Sequence, residues 1–117
     1  MKAQYLQANP QVLEDCGKAC VQRGPLVYCA EEADNGPLLS SFTADLSQPP
    51  VLETSPLFGG VTVVKAAGSQ IDWEKWSANT LYAPAPAPTR PASLTLVPYF
   101  LWNNRGAGEM LVWMNAR

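Results

Sequence analysis

The chain contains no histidine and little charge of either sign. Among its 117 residues are eight Lys and Arg and ten Asp and Glu, which give a net charge of −2. Charged residues make up 15% of the chain, whereas about 25% is typical of soluble domains. The absence of a basic run argues against a nucleic-acid partner. Without histidine, a metal site would have to use cysteine and carboxylate side chains.

Long apolar runs and an even cysteine count are also absent. No stretch approaches the ~20 apolar residues that span a bilayer, and Met1–Tyr5 lacks the apolar core of a signal peptide. Three cysteines fit poorly with the disulfide framework of a secreted domain. We therefore expect reduced thiols, a cytoplasmic location and no membrane partner.

Proline and glycine, by contrast, are abundant and divide the chain into short segments. Eleven prolines and eight glycines leave no window with a long apolar period of 3.6 residues. The segments between them have the pattern of about seven or eight short strands. This pattern predicts an all-β fold, an antiparallel β-sandwich that forms one domain over residues 1–117.

The predicted strands are bounded by turn residues. Ser69–Thr80 is predicted as a polar loop, and Ala83–Pro88 as a stiff polyproline II loop that returns the chain to the same sheets. The last two apolar runs flank a glycine-containing connection, which predicts a β-hairpin. The strands are Lys2–Ala8, Lys18–Glu32, Leu38–Leu46, Val51–Ser55, Val61–Ala67, Leu94–Trp102 and Met110–Met114.

The Gly24-Pro25 pair interrupts the longest of these segments. Because proline cannot donate to a ladder, this point must be a bulge, a kink or a turn. A two-residue turn would put Cys20 directly opposite Cys29. We favour one long bent strand over Lys18–Glu32, because the extended pattern continues on both sides of the pair.

Two stretches of the sequence are distinctive. One is Arg23-Gly-Pro-Leu-Val-Tyr-Cys29, and the other is Val97-Pro-Tyr-Phe-Leu-Trp-Asn-Asn-Arg-Gly-Ala-Gly-Glu-Met-Leu-Val-Trp113. Together they resemble the C-terminal region of the β-L-arabinofuranosidase family, glycoside hydrolase family 127. The resemblance also includes Ala8-Asn9-Pro10, Gly17-Lys18, the rest of Gln22–Glu32, Ala33-Asp34-Asn35 and Leu94–Leu96.

The resemblance implies a non-catalytic β-sandwich at the end of a much longer enzyme. Its role would be to brace the catalytic barrel, which is then the expected partner; a homodimer and a carbohydrate are further partners that we consider. Family members carry a cysteine nucleophile, a glutamate acid/base and a cysteine-bound zinc in that barrel, and none of these motifs matches this chain. We therefore expect no catalytic residue, no cofactor and no activity in the chain alone.

The cysteines are the remaining candidates for a metal site. Cys16 and Cys20 have the close spacing of zinc ligands. On one strand, however, their thiols would lie ~13 Å apart, which is too far to share a metal ion. With Cys29, we expect buried thiols and no metal.

The aromatic residues raise a second class of function, an autonomous carbohydrate-binding module. Trp73 and Trp76 lie in a predicted loop and are the best candidates for an exposed pair that stacks on a sugar. Tyr99 and Trp102 are candidates for a sugar contact or a domain interface. An exposed coplanar Trp pair would favour the module, and a flat apolar patch would favour the brace.

Two charged residues complete the candidate interface. Arg105 lies in the glycine-spaced loop, and Glu109 begins the predicted last strand. Glu109 could pair with Arg105 or with a residue of the catalytic barrel, and we assign it a structural role. Glu31, Glu32 and Asp34 cluster at a strand end, where we expect a solvated turn rather than the carboxyl pair of a glycosidase.

Overall fold

The protein is built almost entirely of β-strands. The computed structural model describes residues 1–76, 81–102 and 108–117. Within them, one short helix, α1 (Glu32–Asn35), and five 3₁₀ turns (Leu13–Asp15, Leu39–Ser41, Leu57–Gly59, Trp73–Lys75 and Tyr99–Leu101) connect nine strands. The strands are β1 (Ala3–Gln7), β2 (Lys18–Arg23), β3 (Leu26–Glu31), β4 (Phe42–Ala44), β5 (Val51–Ser55), β6 (Val61–Ile71), β7 (Thr89–Pro98), β8 (Met110–Leu111) and β9 (Met114–Ala116).

Six of the strands close into a barrel. Around it, β2 pairs with β3, β3 with β7, β7 with β6, β6 with β4, β4 with β9, and β9 with β2 again. The β4–β9 pair is parallel, and the other five are antiparallel. Outside the ring, β1, β5 and β8 pair with β2, β6 and β3. The predicted antiparallel sandwich is therefore wrong, because the sheet is mixed and closed.

Two short segments explain the difference from the prediction. Gly24, at a φ of 59°, forms a tight turn, and the register Val21↔Tyr28 and Arg23↔Leu26 makes β2 and β3 a hairpin. The predicted bent strand is therefore wrong. At the other end of the chain, the three residues of β9 suffice to close the ring. The sequence pattern does not distinguish a sandwich from a barrel, because inward-facing apolar side chains alternate along the strands in the same way in both folds.

The interior of the barrel is the main hydrophobic core. Inside it, the Tyr28 hydroxyl donates a hydrogen bond to the Thr62 carbonyl oxygen at 3.1 Å. Successive residues of a strand point to opposite faces, so Cys29, Val63 and Val97 form a second, smaller cluster on the outside of the barrel wall. The interior cluster consists of Val21, Tyr28, Ala30, Leu39, Phe42, Ala44, Val64, Ala66, Leu94, Leu96 and Met114.

The two apolar runs at the end of the chain do not form the predicted hairpin. Ala30 of β3 pairs with Leu96 of β7 on one side and with Leu111 of β8 on the other. Strand β3 therefore separates the two runs. Residues 103–107 of the connection, and residues 77–80 of the predicted polar loop, lie outside the described residues.

The strands β6 and β7 are longer than predicted and form the longest pairing of the sheet. The last pair of their ladder is Ile71↔Thr89, so β6 extends past Ala67 into the predicted loop and β7 begins directly after the Ala-Pro segment. Pro91 is tolerated within β7 because β3 pairs only with Leu96–Pro98. On the side of β7 that faces away from β6, no described strand pairs with Pro91, so the missing N–H of proline leaves no ladder hydrogen bond unmade.

We expect Gly68→Ala to destabilise this fold, because β4 and β6 approach closely there. A Cβ on Gly68 would collide with the carbonyl oxygen of Thr43 and with the ring of Phe42. The strands cannot separate without weakening their pairing, so the variant should lose about 1–3 kcal/mol of unfolding free energy, measured in urea. Ser69→Ala, at the next position, is the control. Equal losses in both variants would contradict the close approach.

Candidate functional site

A cluster of exposed aromatic side chains follows β7. The strand ends at Pro98, and a 3₁₀ turn over Tyr99–Leu101 carries the chain to Trp102. Tyr99, Phe100 and Trp102 are 44%, 66% and 40% exposed. The ring centroids of Tyr99 and Trp102 lie 6.3 Å apart, with the ring planes inclined by 30°. Neighbouring large apolar side chains exposed in this way are typical of contact surfaces.

The turn between β2 and β3 lies beside these aromatic residues. Pro25, Leu26 and Val27 line a shallow cavity of about 290 Å³ together with Tyr99 and Phe100. Tyr99 provides the only polar side-chain group among these five residues. We call Pro25–Val27, Tyr99, Phe100 and Trp102 the aromatic face. One of its walls is the turn that the sequence pattern had suggested to be a bend within a strand.

Trp73 and Trp76 are not the exposed pair that the sequence suggested, because both are half-buried. The guanidinium carbon of Arg90 lies 4.8 Å from the centroid of the Trp73 ring, within cation–π range. Arg90 is also held 3.8 Å from the Asp72 carboxylate. The indole nitrogen of Trp76 is buried. Arg90 therefore occupies one face of the Trp73 ring.

Glu109 clamps the chain segment that follows α1. Its carboxylate accepts hydrogen bonds from the backbone N–H groups of Leu38 at 2.8 Å and Leu39 at 3.1 Å. Its own N–H donates to Oε1 of Glu32 at 3.0 Å, and its carbonyl oxygen accepts from the Glu32 N–H at 2.9 Å. These bonds hold Leu38 at a φ of 61°. The geometry gives Glu109 a structural role; Arg105, its suggested partner, lies outside the described residues.

Asn35 has a structural role that the sequence pattern did not reveal. Its Nδ2 donates to the carbonyl oxygens of Glu31 at 3.0 Å and Thr95 at 2.9 Å, and its Oδ1 accepts from the Thr95 N–H at 2.7 Å. The side-chain amide thus pairs with β7 as a strand residue would. No local pattern in the sequence indicated a hydrogen-bond partner 60 residues away.

The cysteines and carboxylates do not form a metal centre. Cys16 is exposed, whereas Cys20 and Cys29 are buried, and none of the three is in a disulfide within the described residues. Burial raises the pKa of the Cys20 thiol. In residues 1–76, 81–102 and 108–117, no three His, Cys, Asp or Glu side chains are close enough to hold a metal ion. These residues do not fit the zinc centre that the resemblance implies for the catalytic barrel.

A more polar groove lies between the Ala-Pro segment and the end of the barrel. It has a volume of about 580 Å³, and it shares Thr43, Ser69 and Arg117 with an adjoining cavity of about 250 Å³ that Asp45 lines. Hydrogen bonds from Ser47 and Gln48 hold the pKa of Asp45 below its usual value. Asp45 is the only Asp or Glu among the described residues that line these cavities, so those residues do not provide the pair of side-chain carboxyl groups used in glycoside hydrolysis.

No helix within the described parts of the chain has the length and apolar character needed to cross a membrane.

Comparison with protein families gives a match over nearly the whole chain. The glycoside hydrolase family 127 C-terminal domain matches residues 3–115. The chain belongs to this family. Among curated proteins, a non-reducing end β-L-arabinofuranosidase from Bifidobacterium longum subsp. longum is 40% identical over 119 aligned residues. The alignment covers 97% of this chain but 18% of the relative.

Solved structures of enzymes from the same family contain this fold. One is a crystal structure of a GH127 β-L-arabinofuranosidase from Geobacillus stearothermophilus, with a TM-score of 0.92 and 37% identity over 100% of this chain and 18% of that one. Another, a GH127 β-arabinofuranosidase, has a TM-score of 0.76 and 30% identity over 98% of this chain and 17% of that one. The chain thus spans less than a fifth of the length of these relatives.

Substitution of Glu109 tests the clamp. Glu109→Ala removes both acceptors of the Leu38 and Leu39 N–H groups, so we expect a loss of about 1–2 kcal/mol of unfolding free energy in urea. Glu109→Gln keeps one carbonyl acceptor and should lose less. Glu53→Ala, which removes an exposed carboxylate from β5, is the control and should stay within about 0.5 kcal/mol of the parent chain. If Glu109→Ala matches this control, the clamp does not stabilise the fold.

Proposed function

We propose that the chain is the accessory, non-catalytic domain of a β-L-arabinofuranosidase-type glycoside hydrolase, and that it packs against the catalytic domain of the same enzyme. Coverage is the observation that carries this proposal. The family match takes up residues 3–115 of 117, whereas the chain amounts to 18% of the relatives named as β-L-arabinofuranosidases. The larger remainder of each relative is the expected place for the catalytic groups.

The chemistry of the described residues supports a non-catalytic role. Glycosidases need two positioned carboxyl groups, or a carboxyl group and another nucleophile, across a sugar cleft. Here the carboxylates of Glu32 and Glu109 accept hydrogen bonds from backbone N–H groups. Asp45 lines the smaller cavity beside the polar groove with no second Asp or Glu among the described lining residues, and the Cys20 and Cys29 thiols are buried.

Carbohydrate binding by Tyr99 and Trp102 is a second candidate function. Two exposed rings at 6.3 Å and an inclination of 30° form a surface on which the apolar face of a sugar can stack. The adjoining cavity argues against it, because the side chains of Pro25, Leu26 and Phe100 offer no hydrogen bond to sugar hydroxyl groups. The apolar lining therefore favours contact with a protein domain.

A domain exchange tests the accessory role. In the Geobacillus stearothermophilus enzyme, the segment that superposes on this chain would be replaced by residues 1–117. We expect this chimera to fold and to hydrolyse aryl β-L-arabinofuranosides, and the isolated chain to show no turnover. The same enzyme without the segment should unfold at a lower temperature, because it loses a domain interface. A truncated enzyme as stable and active as the chimera would contradict the proposal.

Titration of the isolated chain with arabinose oligosaccharides tests the second candidate. Trp102 is 40% exposed, so a sugar stacked on its ring would change its fluorescence. We expect no saturable change up to about 10 mM sugar, a concentration that would reveal even millimolar dissociation constants. Trp102→Ala is the control. A saturable change that disappears in this variant would establish a binding module instead.

A further inference from the structure

The amino end of the chain lies beside the turn that precedes the aromatic face. The sulfur of Met1 occupies the space that a Cβ on Gly24 would fill. The carbonyl oxygen of Met1 accepts a hydrogen bond from Nε of Arg23 at 3.3 Å. The residue after Gly24 is Pro25, which lines the apolar cavity. Met1, although 80% exposed, is therefore next to the turn that leads into the aromatic face.

The start of the family match indicates where the rest of a longer enzyme would join the domain, because Ala3, the first matched residue, pairs with Arg23 next to Gly24. The family is a C-terminal domain, and its match begins at residue 3 of this chain. The relatives have more than four-fifths of their length outside the matched region. A segment that precedes a C-terminal domain joins it at its amino end. The preceding part of the enzyme would thus emerge beside the Gly24-Pro25 turn.

We propose that the aromatic face is the docking surface for the catalytic domain, and that its cavity receives an apolar side chain of that domain. This inference rests on the accessory function proposed above and adds the surface that performs it. Aromatic side chains grouped around a pocket are typical of the centre of protein interfaces. Val27, Tyr99 and Phe100, exposed by 36–66%, line such a pocket here, and the Trp102 ring lies 6.3 Å from that of Tyr99.

The catalytic domain is a better partner for the aromatic face than a second copy of the chain, because it would belong to the same polypeptide. When a short linker connects two domains, each domain has an effective concentration in the millimolar range around the other. Separate copies of the chain reach such concentrations only in very concentrated solution. A modest apolar face next to the tether is therefore sufficient for docking within one polypeptide. Two copies would have to compete with a partner that is always present.

The chain offers a matched control surface away from this face. Leu81 and Tyr82 are 85% and 88% exposed, more than Val27, Tyr99, Phe100 or Trp102. They precede the Ala-Pro segment, which lines the groove with Thr43 and Arg117 rather than the apolar cavity. Exposure alone would make these two residues the better docking candidates. The aromatic face is favoured by its cavity and by the amino end that lies beside its Gly24-Pro25 turn.

The experiment compares the two surfaces in the chimera described above. Phe100→Ser and Val27→Thr remove apolar contacts from the aromatic face, and Leu81→Ser and Tyr82→Ser remove them from the control surface. We expect each of the first pair to lower the thermal midpoint of the chimera by about 3 °C or more, and the second pair by less than about 1 °C. In the isolated chain all four side chains are exposed. There, all four variants should melt within about 1 °C of the parent chain.

The possible failures of this experiment have different meanings. If the unsubstituted chimera is no more stable than the truncated enzyme, the accessory function itself fails. If the chimera is stabilised but only Leu81→Ser and Tyr82→Ser lower its midpoint, the accessory function stands and the aromatic face is the wrong surface. In a third outcome, light scattering shows that the isolated chain is dimeric and that its Phe100→Ser variant is monomeric, whereas the same substitution does not change the thermal midpoint of the chimera. The face would then bind a second copy, and the proposal would be overturned.

Discussion

Closure of the barrel by β9 is the interaction on which the rest of the structure depends. Ala19 of β2 pairs with Met114, and Thr43 of β4 pairs with Asn115, so three residues join two parts of the sheet that are distant in sequence. The pairing continues past β9, because the Arg117 N–H donates to the Ala44 carbonyl oxygen at 3.0 Å. Met114 places its side chain in the core with 0% exposure. Without β9, β2 and β4 would both present open edges.

The register of the closed sheet assembles the aromatic face from two separate segments. Tyr28 pairs with Pro98, so the turn that begins β3 and the end of β7 lie at the same end of the barrel. Leu26 and Val27 are therefore neighbours of Tyr99 and Phe100. On the far side of the undescribed residues 103–107, the bonds between Glu32 and Glu109 attach the chain to α1. The face thus rests on elements that the barrel and the Glu109 clamp hold in place.

The sequence predicted those features that are local. Val51–Ser55 is a strand with the predicted bounds, and β1 lies within the predicted Lys2–Ala8, because strand propensity and turn residues act over a few positions. The family was recognisable from Arg23–Cys29 and Val97–Trp113, and the match over residues 3–115 confirms it. What the sequence could not supply was the choice of partner strand. The two sides of β3 and the closing role of β9 depend on non-local pairing. The β2–β3 hairpin is local, but Gly24-Pro25 fits a bent strand as well as a two-residue turn.

Some residues of the candidate site, too, could be predicted from local sequence, whereas their contacts with other segments could not. The sequence offered Tyr99 and Trp102 as candidates for a sugar contact or a domain interface. Their connection with Pro25 depends on the hairpin, which the sequence left ambiguous. Trp73 has a loop-like local pattern, but Arg90, on the neighbouring strand, covers its ring. A surface for docking is therefore defined by which segments the register brings together, and here it brings the apolar turn, the aromatic residues and the amino end to one place.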